Sequence, residues 1–254
     1  LARRARKVNK QFQYNTPHVN NVENVIELNT QRRDNRRKRK INIIPRSVNQ
    51  ESFVLALENS KNSIVIATGP AGTGKTMLAT LWAIKAFQEG KFDKIVITRP
   101  NVAVDDKDIG FLPGDIMKKM TPWMLPILDY FKEYYSPQDI EYMIKEEVVE
   151  IVPIAYIRGR TFKNAIVIVD EAQGTTPNSM LSILTRIGEN SRIIVTGDIK
   201  QTDRGGANGL RDIMEKINKA SKLSYVTMVE FNTKDIERHP AVGEVLALYK
   251  EDQF

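Results

Sequence analysis

Residues 69–76 read Gly69-Pro70-Ala71-Gly72-Thr73-Gly74-Lys75-Thr76, the residue types and spacing of a loop that cradles a triphosphate. Gly69, Gly72 and Gly74 let the backbone turn inward so that successive N–H groups point at phosphate oxygens, and a helix opening at Lys75 adds the positive end of its dipole. Lys75 is placed to reach the β- and γ-phosphates, and the Thr76 hydroxyl to hold Mg2+. Pro70, Ala71, Thr73 and Met77 complete the segment expected to touch the nucleotide. A second run, Ile166-Val167-Ile168-Val169-Asp170-Glu171, ends an apolar strand in two acids. Asp170 reads as the acid that holds the metal through water, and Glu171 as the general base for the water that attacks the γ-phosphate. The chemistry expected is Mg2+-dependent hydrolysis of ATP. A third run, Thr196-Gly197-Asp198-Ile199-Lys200-Gln201, offers Gln201 as the residue that senses the γ-phosphate, supported by Gln173 and Asp198.

These groups need a scaffold that brings several strand ends to one edge. Short apolar runs predict strands at 63–68, 94–98, 147–153, 165–169, 192–196 and 225–231, with the 192–196 strand lying between the phosphate loop and the acid pair. Helices are predicted at 75–88 and near 178–188, 208–219 and 240–250. Apolar strands separated by helices imply an α/β fold with a mostly parallel sheet and helices on both faces. Residues 100–146 break this rhythm as an insertion, with a turn at 111–114 and a helix around 122–135. Its stripe of Trp123, Ile127, Tyr130, Phe131 and Tyr134 reads as core, with a base-stacking platform as the alternative.

Composition narrows the function classes. The chain has 254 residues, no cysteine and two histidines, which rules out disulfides, zinc–thiolate sites and thiol nucleophiles. That usage fits a cytoplasmic location, and no apolar stretch is long enough for a membrane span. Residues 1–40 hold twelve Lys/Arg against three acids, while the remainder holds 26 against 28. Residues 1–45 are therefore expected to form a basic mobile arm, with the catalytic domain at 46–254. The arm suits either a phosphate-backbone binder or a solubilising leader. The chain opens on Leu1 with a basic stretch unlike a secretory signal, and further residues are expected upstream.

The phosphate loop, taken with Thr98-Arg99-Pro100, Gly110-Phe111-Leu112-Pro113-Gly114-Asp115, Arg158-Gly159-Arg160-Thr161, Asp170-Glu171-Ala172-Gln173, Leu184-Thr185-Arg186-Ile187-Gly188 and Gly197-Asp198 with Gln201-Thr202-Asp203, resembles the PhoH family of P-loop ATPases over about residues 45–250. The resemblance implies a RecA-like core similar to one motor domain of superfamily-one helicases, ATP hydrolysis, and RNA or another single-stranded nucleic acid as partner, with helicase action as a further implication. In that reading Gln50 resembles the glutamine that recognises adenine. Arg238 resembles a late arginine that stabilises charge on the γ-phosphate. Two positions depart from the family pattern: Gly174 stands where Asn is usual, and Asn208 where Ser is usual.

A single motor domain needs an arginine from elsewhere, and an identical neighbour is the economical source. A homo-oligomeric ring, with a hexamer as one form, is therefore expected, with Arg238, Arg99, Arg158, Arg160 or Arg186 acting in trans. The alternatives are a nucleotide-gated assembly module with little turnover, and a P-loop kinase. The adjacent acids favour water as the acceptor over a kinase substrate.

Overall fold

Runs such as Ile64-Val65-Ile66 and Ile166-Val167-Ile168-Val169 are rich in β-branched residues and apolar on both faces, which suits strands covered on both sides. A computed structural model describes residues 40–100, 124–201, 208–237 and 241 of the chain, all within the unit Lys40–Phe254. Six strands form one parallel sheet: β1 (Ile64–Thr68), β2 (Lys94–Thr98), β3 (Val149–Ile151), β4 (Ala165–Val169), β5 (Arg192–Gly197) and β6 (Val226–Glu230), in the order β3-β2-β4-β5-β1-β6. Every residue of β4 and β5 is buried.

Alternate residues along the strands feed two cores. Val65, Ala67, Ile95, Ile97, Ile166 and Ile168 pack beneath helices α1 (Val48–Glu58), α2 (Lys75–Gln88), α3 (residues 124–132) and α4 (Pro137–Lys145). Ile66, Val96, Val167, Val169, Ile193 and Val195 pack beneath α5 (Pro177–Leu184) and α6 (Gly209–Lys219). The result is a three-layer RecA-like P-loop fold. Strand β5 lies between β1 and β4, with Thr68 level with Gly197 and Val169 level with Val195. The three chemistry-bearing turns therefore leave the sheet side by side at its carboxyl edge, where ligands bind in such folds.

Several boundaries differ from the sequence expectation for local reasons. The strand expected at 147–153 shrinks to three residues because Glu147 is left-handed at φ 54° and Pro153 has no N–H to donate. The helix expected near 178–188 stops at Leu184. The Phe162 N–H bonds to the Arg186 carbonyl at 3.0 Å and Phe162 bridges Ile187, which draws 186–187 into extended pairing. In the insertion, Ile127 and Phe131 are fully buried, so the core reading of that stripe holds at these positions, while Trp123 and the 111–114 turn lie outside the described residues. Helix α1 is held by a Ser47 cap at its start. At its end the buried Arg192 guanidinium bonds to the Leu57 and Asn59 carbonyls and stacks over Trp82 at 4.9 Å. Ile41, within the stretch read as an arm, is also part of the core. Ile43 packs against the same core, while Lys40, Asn42 and Ile44 are exposed. The helix expected at 240–250 falls outside the described residues apart from Ala241, which is helical.

Candidate active site

The loop after β1 has the backbone that the glycines were expected to allow, with Gly69, Gly72 and Gly74 at φ 142°, 81° and 81°. A Cβ on Gly69 would stand 2.4 Å from the Phe231 carbonyl oxygen. Gly69→Ala is therefore expected to lower unfolding stability by about 1–3 kcal/mol, measured by urea denaturation. Gly74 is the N-cap of α2 and supplies no side-chain cap. The first N–H groups of the helix thus keep their donors for an anion. Lys75 Nζ donates to the Gly69 carbonyl at 2.7 Å, the Pro70 carbonyl at 2.6 Å and Thr73 Oγ1 at 3.1 Å. Burial pulls the Lys75 ammonium below the ordinary lysine range, opposed by the negative charges of Asp198, Glu171 and Asp170.

The acid pair sits across from this loop. Asp170 is 4% exposed, and its Oδ1 accepts from Thr76 Oγ1 at 2.7 Å and from Thr196 Oγ1 at 2.7 Å. One carboxylate oxygen thus joins the phosphate-loop helix, the acid strand and the β5 strand. Thr196 reads in the sequence only as part of a strand-end motif. Its role is set by the β4–β5 pairing, which a local pattern does not reveal. The donor set is all hard oxygen, a hydroxyl and a carboxylate at hydrogen-bond distance. That suits Mg2+, which takes few protein ligands and keeps water and phosphate oxygens in its remaining positions. Among the described residues no group of three or more His, Cys, Asp or Glu side chains gathers to hold a metal.

Glu171 is left-handed, at φ 52°, and both its carboxylate oxygens are engaged. Arg99 NH2 stands 3.1 Å from Oε1, and Gln173 Nε2 donates to Oε2 at 2.5 Å. The Gln173 side-chain oxygen accepts the Asp198 backbone N–H at 3.0 Å, and its main-chain carbonyl accepts from Asn208 Nδ2 at 3.0 Å. Both departures from the family pattern belong to this region. Asn208 caps α6 through Leu210 N and Arg211 N while reaching Gln173. A Cβ on Gly174 would lie 2.9 Å from Pro100 Cβ, so the close approach of the two turns favours glycine.

A cavity of about 670 Å³ opens over these groups and is lined by Gln50, Ala71, Gly72, Gly74, Lys75, Thr76, Met77, Asp170, Glu171, Asp198 and Gln201. Most of the residues singled out from the sequence are thereby brought to one space. Gln50, at the start of α1, is 1% exposed. Its Oε1 accepts the Arg46 N–H at 2.8 Å, and Nε2 donates to the Thr73 carbonyl at 3.1 Å. Each end of the amide thus has one protein partner, which fixes its orientation. Asn42, Ile43, Ile44, Arg46, Leu81, Tyr130 and Glu237 also line the cavity and were not singled out for it. Tyr130 and Glu237 come from segments distant in sequence, whereas Leu81 lies on the helix that Lys75 opens and residues 42–46 precede Gln50, and no motif marks any of them. Gln201 lies exposed on the short turn Ile199–Gln201.

Arg238 lies outside the described residues, although the preceding Glu237 N–H bonds to the Gly72 carbonyl at 2.9 Å. Of the other arginines considered for a neighbour's site, Arg99 faces Glu171, and Arg160 grips Glu150 with two bonds of 2.5 and 2.9 Å. Arg186 reaches Thr185 Oγ1, and Arg158 is exposed beside Gly159.

The strand order, the phosphate loop and the hydroxyl–carboxylate pair define a P-loop nucleotide-binding domain of RecA-like fold. Residues 42–250 match the family model described as PhoH-like protein, and the chain belongs to that family. It is 38% identical over 206 residues to a PhoH-like protein of Bacillus subtilis, covering 80% of this chain and 63% of the relative. It is 39% identical over 211 residues to protein PhoH of Escherichia coli, covering 82% of this chain and 58% of the relative. The chain thus spans about three-fifths of the length of these curated relatives. Among solved structures, the UvsW helicase of bacteriophage T4 is similar at 15% identity with a TM-score of 0.45, covering 74% of this chain and 61% of that one.

Proposed function

We propose that this protein is a Mg2+-dependent ATPase whose turnover is coupled to binding or remodelling of RNA or another single-stranded nucleic acid. The observation that carries the ATPase reading is the convergence of Thr76 and Asp170, 2.7 Å apart, beside Lys75 and Glu171 on one cavity. In this reading Gln50 takes the adenine edge, with Ile43, Met77 and Leu81 as apolar walls. The loop N–H groups from Gly72 to Met77 hold the phosphates. Lys75 exchanges its bonds to the loop carbonyls for bonds to β- and γ-phosphate oxygens. Thr76 and Asp170 hold Mg2+, which when bound neutralises charge on the phosphate oxygens. Glu171 takes the proton of a water that attacks the γ-phosphorus as the bond to the β-phosphate oxygen breaks, while Gln201 and Asp198 face the γ-phosphate.

Support for the nucleic-acid partner comes from the charge of residues 1–40, which concentrates the basic surplus in one segment. The test is ATP hydrolysis measured at fixed salt across a panel of RNA and DNA strands. Indifference to all of them would remove the coupling. Deleting residues 1–40 is expected to flatten the salt dependence of strand binding, by about 0.7 in log–log slope for each phosphate that is no longer neutralised. Strand separation would be read with a labelled duplex.

The described cavity lining has two cations, Lys75 and Arg46, and Arg46 stands 3.5 Å from Glu237. An arginine added to a P-loop site is worth about 10³–10⁵ in turnover, which favours a ring in which Arg238 or Arg158 reaches the next subunit. Gel filtration with ATP and Mg2+ is expected to show an oligomer, a hexamer among the closed forms. A strict monomer there opposes the ring. No helix of the described residues is long and apolar enough to cross a membrane. The absence of cysteine suits the cytoplasm, where we place the protein.

A further inference from the structure

Glu171 forms part of the cavity wall, whereas Arg99 is not among the cavity-lining residues, yet the two side chains meet at 3.1 Å. The ion pair therefore ties one oxygen of a cavity-wall carboxylate to a side chain outside the cavity lining. The second carboxylate oxygen is taken by Gln173, itself fixed by the Asp198 N–H and by Asn208. Each oxygen keeps a second lone pair, but the two donors fix the plane of the carboxylate, so rotating it toward a water loosens one of these bonds. The Gln173 arm is the stiff one, buried and tied at both ends. The Arg99 arm is a long side chain, 21% exposed, at the carboxyl end of β2.

We propose that Arg99 is a positioning residue that holds Glu171 in a resting orientation, and that the phosphodiester backbone of a bound single strand draws Arg99 away and frees Glu171 to act as base. This rests on the ATPase reading above. The guanidinium fork matches a phosphate with two parallel bonds, a better geometry than its contact with one carboxylate oxygen of Glu171. The pair is 21% and 34% exposed, so separating it costs more than separating a surface pair, and the two charge-assisted bonds from the phosphate offset that cost. Nucleic acid would then accelerate hydrolysis without touching the nucleotide.

The experiment is steady-state ATP hydrolysis by the full chain, comparing wild type, Arg99→Gln, Arg99→Lys and Lys75→Ala, with and without oligouridylate at one salt concentration. Arg99→Gln is expected to raise basal kcat by about two- to fivefold with KM little changed, and to lose stimulation by the strand. A structural defect would instead lower kcat or raise KM. Arg99→Lys keeps the charge and loses the fork, so it is expected to retain the low basal rate with weaker stimulation. An Arg99→Gln basal kcat at or below the wild-type value overturns the proposal, and so does a stimulation ratio equal to that of wild type. If Arg99→Gln does not fold, Arg99→Lys decides: stimulation undiminished from wild type overturns the proposal. Wild-type turnover no greater than that of Lys75→Ala ends the ATPase reading and this inference with it. Wild-type turnover that is clearly greater, with Arg99 variants behaving as wild type, ends this inference alone.

Discussion

Glu171→Gln is expected to lower kcat for ATP hydrolysis by about 10²- to 10⁴-fold, the range that a positioned general base supplies. Equilibrium binding of ATP is expected to stay within a few-fold. The separation follows from where the side chain sits. Glu171 shares the cavity wall but makes no hydrogen bond to the loop that would hold the phosphates, its partners being Arg99 and Gln173. The substituted amide presents its NH2 group to one of the two donors and its oxygen to the other, so one of the two bonds is lost while the Asp170 contacts with Thr76 and Thr196 are left in place. The metal-binding pair should therefore survive. Measuring kcat beside a direct titration of labelled ATP distinguishes the two effects. Turnover near wild type would remove Glu171 as base and pass the role to another cavity acid, Asp198 first.

The phosphate loop, its helix and the acid strand were legible because their information is local. Helix α2 begins at Lys75 and ends at Gln88, where the periodicity put it, since a glycine turn precedes it and an apolar stripe runs through it. The strand between the phosphate loop and the acid pair was legible for a similar reason, as Arg192–Gly197 is an apolar run closed by Thr-Gly-Asp. Helix α4 has a local signal of a different kind, one that apolar periodicity does not detect. Ser136, Pro137 and Asp139 form a capping box with proline in the first turn, a pattern of residue types at fixed spacing. What no local pattern carries is the pairing of Arg99 with Glu171, 72 positions on in the numbering, or of Thr196 with Asp170. These contacts arise because β2 and β5 flank β4 in register, so the residues ending the three strands become neighbours only after the sheet is assembled. Gln50 shows the same limit. Its place in the site came from the resemblance, whereas its burial follows from the Thr73 carbonyl that it meets across the domain.

Lys75→Ala is expected to weaken ATP binding by about 10²- to 10⁴-fold, since two hydrogen bonds from a charged donor to phosphate oxygens contribute roughly 1.5–3 kcal/mol each. The effect on the fold should be much smaller. Three bonds to the Gly69 and Pro70 carbonyls and Thr73 Oγ1 disappear, but so does a desolvated ammonium whose burial is unfavourable enough to pull its pKa down. These terms oppose each other, so stability should move by no more than about 1 kcal/mol, within the range of ordinary single substitutions. Lys75→Arg gives a sharper contrast because it keeps the charge. Nζ sits within 3.1 Å of three oxygens in a tight backbone curve, a geometry for a compact ammonium that a planar guanidinium does not reproduce. Arginine is therefore expected to fail to restore ATP binding, measured by titration with labelled nucleotide and paired with thermal unfolding of each variant. Full rescue by arginine would show that the loop needs only a positive charge, and the case for Lys75 as a shaped phosphate ligand would fall.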